Sequence, residues 1–163
     1  MTNNKPANQQ TSRPASSPRV NAYNYRNLDV WEMAQNVAAD VILLTRDLPR
    51  DAAALAITRQ MVRSAGSIGA NIAEGHGRYS LGAYKNHLSI AKGSACETDS
   101  WLDLLKRTGL IAAESEQRLH ERMLSLIALL TSKIRALEEK ARQTVGIRED
   151  AAEYFTAGDE IDE

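Results

Sequence analysis

Residues 67–78 read Ser67-Ile68-Gly69-Ala70-Asn71-Ile72-Ala73-Glu74-Gly75-His76-Gly77-Arg78, a segment that begins as a helix and ends as a turn. Met61, Ala65, Ile68 and Ile72 recur at steps of four, three and four, one apolar face at helical period. Gly75 and Gly77 then offer positive-φ positions at which a helix stops and the chain reverses. Gly66, Gly69, Ala70 and Ala73 form a second stripe, about 120° from the first. Glycine inside a helix costs about 1 kcal/mol against alanine, so two of them suggest close approach by another backbone. Glu74 falls in the last turn, where the helix dipole disfavours an anion. A cationic partner is expected for it, either Arg78 or an arginine of another helix.

Working outward, the same periodicity yields four helices. The first, over about 28–48, carries Trp31, Ala34, Ala38, Val41, Thr45 and Leu48 at bundle-seam spacing. Pro49 stops it, and Asp51 can cap the second, which runs over about 52–74. Ser80 can cap the third, which places Tyr84, Leu88, Ala91, Ala95, Thr98, Leu102 and Leu105 on one face, with Gly109 as its stop signal. The fourth, over about 114–140, aligns Leu119, Met123, Leu126, Leu130, Ile134 and Leu137. Connections of a few residues make sequential helices antiparallel neighbours, so the expected fold is all-α, an antiparallel up-down-up-down four-helix bundle.

Length and composition agree. The 163 residues suffice for one domain with a core, and aromatic residues make up only 5%, a mix suited to helices rather than sheets. There is no apolar run long enough for a membrane span and no apolar leader at the N-terminus. The single cysteine, Cys96, cannot pair within the chain, which fits a cytoplasmic setting. Charge divides the chain into three. Residues 1–25 carry +3 and no acid, 26–140 carry +1, and 141–163 carry −5. The expected organisation is a polar, basic, disordered tail over 1–25, the bundle over 26–140, and a flexible acidic tail over 141–163.

Four pieces in this order carry a resemblance. They are Tyr25-Arg26-Asn27-Leu28-Asp29-Val30-Trp31, Leu48-Pro49, the 67–78 segment, and Lys92-Gly93-Ser94-Ala95-Cys96-Glu97. Over about 25–140 the chain resembles the four-helix-bundle family of the 23S rRNA intervening-sequence proteins. The accessory variability determinant of diversity-generating retroelements is similar to a branch of it. The resemblance implies assembly into a homopentameric ring and an accessory role beside RNA, DNA or a reverse transcriptase. It marks Asn71, Glu74, Gly75, Gly77 and Glu97 as structural motif positions. The retroelement proteins carry a strongly basic surface, and the +1 core departs from them.

Residue chemistry points away from catalysis. No glutamate has a histidine three residues on, so the di-iron bundle pattern is missing, and His76, His87 and His120 lack partners at metal-ligand spacing. Gly75-His76-Gly77 ends a helix rather than opening one, so it is not a phosphate loop. The expectation is no catalytic residue, no metal and no cofactor. Arg59, Arg63, Arg78, Lys85 and Lys92 form the candidate nucleic-acid surface, sequence-independent in its grip on phosphate. Gly66, Gly69, Ala70, Ala73, Ile90 and Trp101 form the candidate subunit contact. The rival reading is a protein-interaction scaffold, with these charges serving subunit contacts alone.

Overall fold

The computed structural model describes residues 24–157, with side chains to 144. Among these residues four α-helices are present: α1 (Asp29–Leu44), α2 (Ala52–His76), α3 (Leu81–Arg107) and α4 (Ala113–Ala157). Short 3-10 turns, Tyr25–Asn27 and Thr45–Asp47, flank α1. The helices pack in chain order around one core, the four-helix bundle that the periodicity predicts.

The caps follow from side-chain chemistry. Asp51 accepts hydrogen bonds from the N–H groups of Ala53 (2.9 Å) and Ala54 (3.0 Å), filling two of the vacant donors of α2. Ser80 accepts from Ala83 N–H at 3.1 Å and starts α3. At the far end of α3, Gly109 adopts φ 69° and Leu110 N–H reaches back to the Leu105 carbonyl at 2.9 Å, closing the helix as expected.

The 67–78 segment behaves differently. Gly77 has φ −77°, and Gly75 lies buried inside α2, so neither takes the expected positive φ. Close approach explains Gly75. A Cβ there would stand 2.6 Å from His87 Cβ and 3.0 Å from Tyr84 Cδ2, so α3 crosses where only a hydrogen fits.

The core has two zones. Val30, Val37, Ile68, Ile72, Leu88, Met123, Leu126 and Leu130 fill the half near the α2–α3 turn. Met61, Ala65, Leu102, Leu105 and Leu119 fill the other. On α1 the fully buried positions include Val30 and Val37, and Trp31 is displaced to the rim. There its ring meets Tyr25 edge-on at 5.2 Å, with the Arg26 guanidinium 5.9 Å from both rings.

One boundary differs from expectation. The fourth helix does not stop near Lys140 but continues to Ala157, into the segment expected to be a flexible acidic tail. Its 45 residues span about 68 Å, against about 40 Å for the 27 of α3, so it outruns the bundle. Proline is absent from 141–157, and its four alanines favour helix. The expected tail over 1–25 lies almost wholly outside the described residues, as does 158–163. No helix among the described residues is long and apolar enough to cross a membrane.

Candidate interaction surfaces

At the α2–α3 turn the motif side chains form one polar chain. Asn71 Nδ2 donates to the Ser67 carbonyl at 2.8 Å, and its Oδ1 lies 3.4 Å from His87 Nδ1. His87 Nε2 stands 3.8 Å from Glu74 Oε1, and Arg78 pairs with the same carboxylate. Glu97 reaches Arg63 at 4.0 Å. Arg78 is thus one of the cationic partners that the sequence allowed for Glu74. Both carboxylates are nevertheless about half exposed, 52% and 43%, so they are surface pairs rather than buried ones.

The five candidate cations do not gather. Arg59 is exposed near the start of α2, and Arg78 lies beyond its end, roughly 25 Å away along the helix. Lys85 pairs with Glu138 of α4 at 3.4 Å, Arg63 with Glu97 and Arg78 with Glu74. Arg59 and Lys92 have no partner among the described residues.

The candidate subunit residues divide. Gly69 is buried, and a Cβ there would stand 2.2 Å from Gln35 Nε2. Gly69 therefore faces α1 within the chain, against the end of the exposed Gln35 side chain. Gly66 and Ala70 are exposed, Ile90 is 45% exposed, and Ala73 and Trp101 are half-buried. Gly93 of α3 is exposed as well. A Cβ at Gly66 or Gly93 meets nothing within 4 Å. The Arg63–Glu97 pair joins the two outer faces into one shallow surface built from small residues around Ile90 and Trp101.

Two features escaped the sequence because they arise between helices. Cys96 and His120 line one polar groove of about 450 Å³ between α3 and α4, with Asp99, Lys106 and Glu116. His120 Nδ1 lies 2.8 Å from Asp99 Oδ1. That hydrogen bond raises the imidazole pKa above its ordinary value, against partial desolvation. Glu116 is buried and meets Lys106 at 2.9 Å, and this bond raises the lysine pKa. The second feature is a groove between α1 and α4, divided into spaces of about 390 and 430 Å³. Asp29, Glu32 and Asp40 stand on its α1 wall, Asp47 in the 3-10 turn that follows, and Arg118 and Arg122 on its α4 wall.

Comparison with known proteins places this architecture. No curated protein matches the chain. A crystal structure of a protein of unknown function from the S23 ribosomal protein family of Bacteroides thetaiotaomicron is similar to it, with a TM-score of 0.61 and 32% identity. The match covers 64% of this chain and 97% of that one. The described family of the 23S rRNA-intervening sequence protein matches residues 26–132, from the first 3-10 turn into α4. With the bundle, its motif turn and that match in agreement, the chain belongs to the 23S rRNA-intervening sequence protein family.

Proposed function

We propose that this protein is a non-enzymatic, homo-oligomeric accessory scaffold whose subunits meet on the outer face of α2 and α3. One observation carries the reading. Gly66 and Gly93 lie in the interiors of two long helices, each costing about 1 kcal/mol against alanine. No neighbour among the described residues requires either of them, since a Cβ would meet nothing within 4 Å. Both lie on the outer face that also carries the exposed Ile90, with Ala70, Ser94 and Trp101. A helix of a second subunit lying against this face would make use of the missing side chains. The family resemblance supplies five as the expected number of subunits.

Nucleic acid or a reverse transcriptase held by Arg59, Arg63, Arg78, Lys85 and Lys92 has less support. Three of the five cations are engaged by carboxylates of the same chain.

Light scattering tests the scaffold reading. The mass should be several times 17.9 kDa. Ala70→Trp should dissociate the assembly while leaving the helical signal intact. Gly66→Ala with Gly93→Ala should move two observables in opposite directions, raising the stability of the dissociated subunit and weakening assembly. A monomer at every concentration overturns the reading.

A further inference from the structure

The groove between α1 and α4 differs in charge from one end to the other. The end nearest Asn24 is lined by Asp29, Glu32, Met33 and Asn36 of α1 and by Arg122 and Ser125 of α4. Lys133 Nζ meets Asp29 Oδ1 there at 2.8 Å, and Arg122 pairs with Asp40. Glu32 is exposed and has no partner among the described residues. Met33, half-buried against the core, supplies an apolar floor beside it. At the far end the exposed Arg118 is the cation without a partner among the described residues, in the space that Asp47 also lines. The chain that precedes Asn24 carries Lys5, Arg13 and Arg19 and no acid, with prolines at Pro6, Pro14 and Pro18.

We propose that the segment before Asn24 folds back into the near end of this groove, with Arg19 against Glu32 and Val20 over Met33. Its length allows this. Arg19 precedes Asn24 by five residues, a reach of up to about 17 Å. Rounding a helix takes about 10 Å, and Glu32 lies about 5 Å from the start of α1. Tyr25, packed edge-on against Trp31, fixes where the chain enters α1. Pro14 and Pro18 bar a helix and favour an extended chain, slender enough for a shallow groove. Charge selects the end. A basic segment is drawn to the free carboxylate of Glu32 and repelled by the free guanidinium of Arg118. One exposed ion pair binds weakly, but a short tether holds the segment at a millimolar effective concentration, where weak binding suffices. The contact lies within one subunit and is independent of assembly through α2–α3.

Trypsin reads the contact in the full-length chain. Lys5 and Arg13 are each followed by proline, which blocks cleavage, so Arg19–Val20 is the bond before Asn24 that trypsin cuts. Its cleavage, followed by mass spectrometry at low salt, should run about twofold to fivefold faster in Glu32→Gln than in the wild type, the range of an exposed ion pair. At about 0.5 M salt the two rates should converge. Arg118→Gln removes only the opposing charge and should not speed the cut. Equal rates for Glu32→Gln and the wild type at low salt overturn the contact. Carbodiimide treatment of Arg19→Lys then locates it. The introduced amine should form an amide with Glu32 inside a single chain of 17.9 kDa. A link that joins two chains and doubles the mass overturns the proposal, as does a link to a carboxylate outside the groove.

Discussion

The seam between α2 and α3 and the seam between α1 and α4 close the same bundle by different means. Across α2–α3, shape decides. Gly75 lets α3 approach to within a hydrogen's breadth, Ile68 and Ile72 are fully buried, and Thr98 hydrogen-bonds Ser64 at 2.9 Å inside the core. Across α1–α4, the helices make the least extensive contact of any neighbouring pair, and charges bridge an open groove. Shape complementarity yields large, salt-insensitive stabilisation, because dispersion and burial both scale with area. Exposed ion pairs yield little, and salt screens what they yield. A bundle with one seam of each kind is closed by packing on one side and bridged by charge on the other.

The largest expected effect separates these two halves. Ile72→Ala removes a fully buried side chain from the shape-closed seam and should cost about 2–5 kcal/mol in urea unfolding. Leu43→Ala acts on the charge-bridged seam, at a side chain 51% exposed, and should cost less than about 1 kcal/mol. Equal losses would mean that the two seams are closed in the same way.

A smaller effect sharpens the account of the α2–α3 seam. Thr98 Oγ1 donates to Ser64 Oγ, and Ser64 Oγ donates to the Met61 carbonyl at 3.1 Å. Both side chains are buried, and the Thr98 hydroxyl also reaches the Ser94 carbonyl at 2.8 Å, so each single replacement removes the bond between the hydroxyls and leaves the remaining one a carbonyl acceptor of its own helix. Ser64→Ala and Thr98→Val should each cost about 0.5–1.5 kcal/mol. The double variant should cost less than their sum, with a coupling of about 0.5–1.5 kcal/mol. Strict additivity would show that the two hydroxyls do not act as a pair and that apolar packing alone sets the register.

How much of this was legible in the sequence depends on whether a signal lies within one helix or between two. The helices, their order and their antiparallel arrangement follow from apolar spacing, and Asp51, Ser80 and Gly109 act where local chemistry places them. Gly75 was legible as special but not for its reason. A glycine at a helix end reads as a turn, and only the crossing of Tyr84 and His87 reveals it as a contact. Trp31 reads as a seam residue at period 3.5, yet its bulk is accommodated at the rim by Tyr25 and Arg26. Gly66 and Gly69 look alike in sequence, and the structure separates them, one open and one filled by Gln35. The acids of α1 and the cations of α4 face one groove only through the register of two helices far apart in sequence. The extension of α4 past Lys140 was hidden by its acidic composition, which masked a segment without helix breakers of the proline kind.

The seam between α3 and α4 stands between the two extremes, and pH offers the smallest and most specific probe of it. His120 of α4 holds Asp99 of α3 at 2.8 Å, with both side chains about one-quarter to one-third exposed. Glu116 adds to the positive shift of the imidazole pKa, and Lys106 opposes it. Because the folded pKa is raised above the unfolded value of about 6.5, the stabilisation is fully present below about pH 6.5. It is lost as pH rises through the folded pKa, when the imidazole gives up its charge. The protein should therefore unfold at a higher urea concentration at about pH 6 than at about pH 8. After allowance for solvent screening, the gain should not exceed about 0.5 kcal/mol. The comparison with Asp99→Asn isolates the contribution of His120. That variant should lose the pH difference attributable to the pair while remaining folded at both values, since its amide keeps the shape of the carboxylate. An unchanged pH difference in Asp99→Asn would remove the His120–Asp99 pair from the forces that close the α3–α4 seam and leave its charge contacts to Lys106–Glu116 and Lys85–Glu138.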